Sequence, residues 1–149
     1  MENEFKRFFE VGVSYIDAIE NKHKETFIVK AISFAEAEDK AYAEAKDKAY
    51  LDFEDYDVTD IDVLSVKISN VTEVILDEND EKEKYYKVKY SVIFLDEKSA
   101  KEKRIPHYLL FNASSIDEAR EMYKREMAGC VSDIILESIT ETKITSYLK

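Results

Sequence analysis

Two stretches decide the fold: Ala31-Ile32-Ser33-Phe34-Ala35-Glu36 and Ala113-Ser114-Ser115-Ile116-Asp117-Glu118. Each follows an apolar segment and places a serine three residues ahead of a glutamate. That spacing is a capping box: the serine oxygen accepts from the third helical N–H, and the glutamate reaches back to accept from the start of the helix. Each stretch therefore reads as the end of a strand running into the first turn of a helix. Finding the signal twice in equivalent surroundings points to an internal duplication.

Upstream of each box lies an aromatic-headed run with period two. In the first, Phe9, Val11, Val13 and Tyr15 alternate with Phe8, Glu10, Gly12 and Ser14. In the second, Tyr86, Val88, Tyr90, Val92 and Phe94 alternate with Tyr85, Lys87, Lys89, Ser91 and Ile93. Such alternation predicts half-buried strands over 8–15 and 85–94. Polar connections, 17–24 and 96–103, read as long mobile loops because neither holds an Asn-Gly or Asp-Gly turn. They lead to second strands predicted over 25–32 and 107–113, with Pro106 at a strand start or edge.

Downstream, helices are predicted over 34–51 and 116–128. Phe34, Ala37, Ala41 and Ala45 should face inward on the first, and Ile116, Ala119, Tyr123 and Met127 on the second. Gly129 is the natural stop for the second helix. The interval from Ser33 to Val58 is nine residues longer than that from Ser115 to Val131, so the second helix is the shorter. Closing strand regions are predicted over 58–76 and 132–147, with a bulge or break near Asn70. The reading is a two-layer α+β protein, a duplicated strand-strand-helix-strand unit whose helices share one face of an antiparallel sheet. Residues 1–76 form the first repeat, 77–84 an acidic linker and 85–149 the second, in one integrated domain. The free face of the sheet should be wet or covered by a partner.

In its strand Phe9 to Tyr15 and the stretch Val29 to Glu38, the chain resembles an uncharacterised domain-of-unknown-function family. The likeness continues through Tyr86-Lys87-Val88-Lys89, Leu95 to Arg104 and Ile139 to Ile144. That family consists of short proteins from Bacteroides-type gut bacteria and their phages. The resemblance implies no activity, but it implies a phage or mobile-element setting, with a small accessory protein or a virion component as the expected role.

The chain has 149 residues, enough for a core without disulfide staples, and one cysteine, Cys130. Without a signal-type N-terminus or an apolar run near twenty residues, a cytoplasmic protein in a bacterial host is expected, with no membrane partner. Packaging in a phage particle fits the same reading. Net charge is -11, but residues 1–76 hold nine basic and eighteen acidic groups whereas residues 85–149 hold eleven and ten. Net charge therefore does not exclude an anionic partner for the second repeat.

Catalytic and cofactor motifs are missing. Cys130, His23 and His107 lack zinc-ligand spacing, so no metal is expected. Only Gly12 and Gly129 are glycines, which leaves no phosphate-cradling loop and no cofactor to name. The acidic run 54–62 lacks the central glycine and terminal glutamate of a calcium loop. Cys130 reads as a small packed residue, and His107 as a strand residue rather than its base. The chain is thus expected to be a non-catalytic binding or assembly module, working through a protein partner or self-association. The alternative is a single-stranded nucleic-acid-binding protein: Tyr85, Lys87 and Lys89 on one sheet face, joined by Lys98, Lys101, Lys103 and Arg104, combine aromatic stacking with phosphate attraction.

Overall fold

Both capping boxes form, with the same variation. The computed structural model describes residues 6–16, 21–52, 61–76 and 84–149. Ser33 Oγ accepts from Glu36 N at 3.1 Å, and Ser115 Oγ accepts from Glu118 N at 3.2 Å. The glutamates reach one residue further back than the usual box: Glu36 accepts from Ile32 N and Glu118 from Ser114 N, each at 3.4 Å. They open helices α1 (Phe34–Asp52) and α2 (Ile116–Glu126). Beyond α2, Gly129 takes a left-handed φ of 84° where no β-carbon clash arises, ending the helical path as its position predicts.

The strands are β1 (Arg7–Ile16), β2 (Lys22–Ala31), β3 (Asp62–Ile68), β4 (Glu73–Ile75), β5 (Lys84–Asp96), β6 (Lys101–Ala113), β7 (Asp133–Glu141) and β8 (Ile144–Leu148). They form two four-stranded sheets, ordered β3-β1-β2-β8 and β4-β6-β5-β7. Read from its β7 edge, the second sheet repeats the order of the first. In both, the first hairpin strand shifts register against its long edge partner at the same place, between Gly12 and Val13 in β1 and between Lys89 and Tyr90 in β5.

The break near Asn70 proves to be a change of sheet. β4 follows β3 in sequence but pairs with β6, and β8 follows β7 but pairs with β2. Both pairings are parallel, unlike the antiparallel ladders expected throughout. The chain accordingly divides into two units, Met1–Ser69 with Lys143–Lys149, and Asn70–Thr142. The boundary at 76/77 drawn from the linker does not coincide with the boundary between units, because β4 lies in the second. Residues 77–83 of that linker, 58–60 of the closing region and 17–20 of the first connection lie outside the described residues.

In the first unit, Phe9, Val11, Val13 and Tyr15 meet Phe27, Val29 and Ala31 beneath Ala37, Ala41 and Ala45 of α1. Alanine at every fourth position lets the helix lie close to the sheet. Phe34 sits half outside, edge-on to Phe9 at 5.0 Å between ring centroids, rather than in the inward stripe. In the second unit, Tyr86, Val88, Leu109, Phe111 and Ala113 pack under Ala119, Met122 and Tyr123. Ile116 is exposed and Met122 is inside, because α2 presents its 119/122/123 face to the sheet.

The opposite face is not simply wet. Ser14 and Ile28 are buried there in the first unit, and Tyr85, Ser91, Leu110 and Asn112 in the second. The close approach of α1 gives a direct test. Ala41→Leu should destabilise the protein by about 1–3 kcal/mol through overpacking. Ala43→Leu, on the exposed side of the same helix, should change stability by no more than about 0.5 kcal/mol. Paired urea unfolding curves, read by circular dichroism, measure the difference.

Candidate functional site

The aromatic and basic residues singled out above do not form one patch. Tyr85, Lys87 and Lys89 lie on the outer face of the second sheet, opposite Asn112, Leu110 and Tyr108 in register. Lys103 pairs with Phe94, seven residues beyond Lys87 along β5, roughly 23 Å away at the rise of a strand. Alternation also separates the tip residues, with Lys103 on the helix side and Arg104 on the outer side.

Their chemistry is largely engaged. Tyr85 is only 9% exposed, so its ring offers no face for a base to stack on. Its carbonyl accepts from the backbone N–H and the hydroxyl of Thr142, both at 2.9 Å. Lys87 Nζ donates to Asn70 Oδ1 at 2.9 Å and lies 5.9 Å from the Tyr108 ring centroid. Lys103 pairs with Asp96 at 3.0 Å, and Arg104 lies 3.6 Å from Glu137 and 3.9 Å from Glu102. Of the basic residues in the set, Lys89, Lys98 and Lys101 have no side-chain hydrogen bond or ion pair with a described residue. A stacking platform with a continuous cationic track is therefore not what the fold assembles.

The connection read as a mobile loop is instead a built turn. β5 and β6 pair from Lys84↔Ala113 to Asp96↔Lys101, and a four-residue turn, 97–100, closes them. Asp96 organises it: Oδ1 accepts from Lys98 N at 3.1 Å, Oδ2 accepts from Ser99 Oγ at 3.1 Å, and the backbone oxygen accepts from Ala100 N at 2.8 Å. Ala100 takes the left-handed φ of 54° that closes the turn, a strained choice for a non-glycine residue. β6 thus starts six residues earlier than expected, carrying Pro106 inside it. β4 pairs with β6 only at 109–111, so at Pro106 one side of the strand has no ladder to interrupt.

This long hairpin meets a short helix. An 11-residue α2 spans roughly 16 Å, whereas the 13-residue strands beneath it run roughly 43 Å. Helix cover ends near Tyr90, whose ring lies 5.9 Å from that of Tyr123 and stacks on His107 at 5.2 Å. Burial raises the pKa of both phenols above the ordinary value. Beyond Tyr90 the same sheet face carries Val92, Phe94 and Ile105, with Ile134 and Leu136 on the neighbouring strand. Phe94 is 41% and Ile105 47% exposed. β7 pairs with β5 only as far as Ile93, so the last rungs form a two-stranded arm.

Cys130, expected as a small packed residue, is exposed, and its thiol lies 3.9 Å from the Ser132 carbonyl; the His107 ring stacks on Tyr90. Among the described residues no group of three His, Cys, Asp or Glu converges as metal ligands. The acidic run 54–62 lies outside the described residues except for Ile61 and Asp62. Among the described residues no helix is long and apolar enough to cross a membrane.

The arm makes a pH prediction. The Lys103 ammonium, then the Lys98 amide and the Ser99 hydroxyl, lower the pKa of Asp96 below the ordinary carboxylate value. A depressed carboxyl supports the turn fully above its unfolded pKa of about 4 and loses that support as pH falls through the lower folded value. The Lys98 and Ala100 amides should be protected at neutral pH, relative to the intrinsic exchange rate at each pH, and should lose that protection only below about pH 4. In Asp96→Ala the protection should be missing at every pH, with Val88 and Leu109 still protected.

No curated protein and no solved structure matches the chain. One family does, over almost the whole length, including both capping boxes and the β5–β6 arm. On that match, over residues 7–149, the chain belongs to the family described as Domain of unknown function (DUF4494).

Proposed function

We propose that the chain is a non-catalytic binding and assembly module that acts through protein–protein contacts, and that the uncovered end of its second sheet is where a partner docks. The observation carrying this reading is the mismatch between an 11-residue helix and the 13-residue hairpin below it, which leaves Phe94 and Ile105 bare on a self-ordered arm. A two-stranded ribbon with apolar residues facing water gains little from its own core. Covering Val92, Phe94, Ile105 and Leu136 would extend the helix-on-sheet layer that α2 begins. Lys98 and Lys101, which pair with no described carboxylate, rim the arm and favour a partner with acidic residues around an apolar stripe. An accessory protein of a phage or mobile element, in the cytoplasm of its host or as part of a particle, would work by contacts of this kind. A second copy of the chain is the self-association form of the same reading.

Single-stranded nucleic acid is the weaker alternative. The buried Tyr85 and the carboxylates paired with Lys103 and Arg104 remove the stacking and much of the charge that it needs.

The test is capture from native cells with the unmodified protein and with Phe94→Asp/Ile105→Asp, both exposed positions whose change should leave the circular dichroism spectrum intact. The unmodified protein should retain a defined partner, or form a concentration-dependent oligomer by light scattering. The double variant should weaken that contact at least tenfold, the scale of losing one buried anchor. Equal capture by both forms contradicts the assignment.

A further inference from the structure

The outer face of the first sheet holds a hollow of about 280 Å³, lined by Glu10, Gly12, Thr26, Ser65, Lys67, Lys143 and Ile144. Register explains it. Ser65, Gly12, Thr26 and Ile144 form one cross-strand row over four strands, and Lys67 and Glu10 stand side by side in the row next to it. Small residues in the first row leave the floor low, and Gly12 contributes no side chain at all. A β-carbon there would lie 3.1 Å from Ser65 Oγ. In the second unit the position before the matching register shift is Lys89, opposite Tyr108, so the same place is filled by long side chains.

The charges around the hollow are not spent on one another. Glu10 and Lys67 are direct cross-strand partners, yet no ion pair joins them, and Lys143 pairs with no described residue. The lining thus brings two lysines, one glutamate, a serine and a threonine around a space just below the size of a drug-type pocket. The excess of one positive charge selects a small ligand with one net negative charge.

We propose that this hollow binds a free acidic amino acid, a molecule with two carboxylates and one ammonium. Lys67 and Lys143 each take a carboxylate, Glu10 takes the ammonium, and Ser65 and Thr26 supply hydroxyls to the carboxylate oxygens. The pairing matches charge for charge, and charge-assisted hydrogen bonds of this kind are the stronger sort. The site is independent of the docking arm, which lies in the other unit.

The experiment titrates the full chain, labelled with nitrogen-15, with L-glutamate and L-aspartate, and in parallel with L-glutamine and sodium chloride. Saturable shifts of the Gly12, Thr26 and Ser65 amides are expected with an acidic amino acid at millimolar concentration, and much weaker ones with glutamine or chloride. Lys67→Gln and Lys143→Gln, both at exposed positions, should each weaken binding about tenfold, the loss of one charge-assisted bond. Gly12→Val should fill the floor and remove binding. The absence of shifts at those amides with either acidic amino acid overturns the proposal. So does an equal response to chloride, or undiminished binding in both lysine variants.

Discussion

A helix shields only the length of sheet it lies on, and most of what distinguishes the two halves of this protein follows from that constraint. In the first unit, a 19-residue α1 lies over ten-residue strands, and its alanine stripe brings the two layers together along their length. In the second, the helix is eight residues shorter and the hairpin three residues longer. The same architecture therefore ends with a covered core at Tyr86, Val88 and Phe111 and an uncovered one at Phe94 and Ile105. Length, rather than any change in residue chemistry, converts a core position into a surface position.

The capping boxes and the period-two runs made the helices and four hairpin strands legible, because both signals depend on neighbours within a few residues. What escaped depends on residues far apart. β4 and β8 are three and five residues long, and which sheet they join is set by partners in the other half of the chain. No local pattern encodes that choice, although the break near Asn70 marked where the chain turns away. The early start of β6 was hidden by Lys101, Glu102, Lys103 and Arg104, which resemble a solvated loop. They are strand residues because Asp96 closes the turn before them.

At the level of sites, the sequence located the cations but not their neighbours. Lys103 and Arg104 looked available until register placed Asp96 and Glu137 against them. Tyr85 looked like a platform because alternation puts it on the face away from α2, yet that face is itself buried at Tyr85, Leu110 and Asn112. The bare apolar end was readable in principle: the nine-residue difference between the helix intervals and the alternation through Phe94 together imply a sheet longer than its cover. The hollow around Gly12 was not, since its lining comes from four strands of which one, β8, joins from the far end of the chain.

The distal face of the β5–β6 arm should be open in the isolated chain and occupied in its working state. Hydroxyl-radical footprinting reads this residue by residue, with Phe27, fully buried in the first unit, as an internal reference. Phe94, Ile105 and Leu136 should label readily in the purified protein and become protected when the protein is recovered in its native assembly, while Phe27 stays unlabelled in both. Equal labelling of Phe94 and Ile105 in the two states would contradict the central claim.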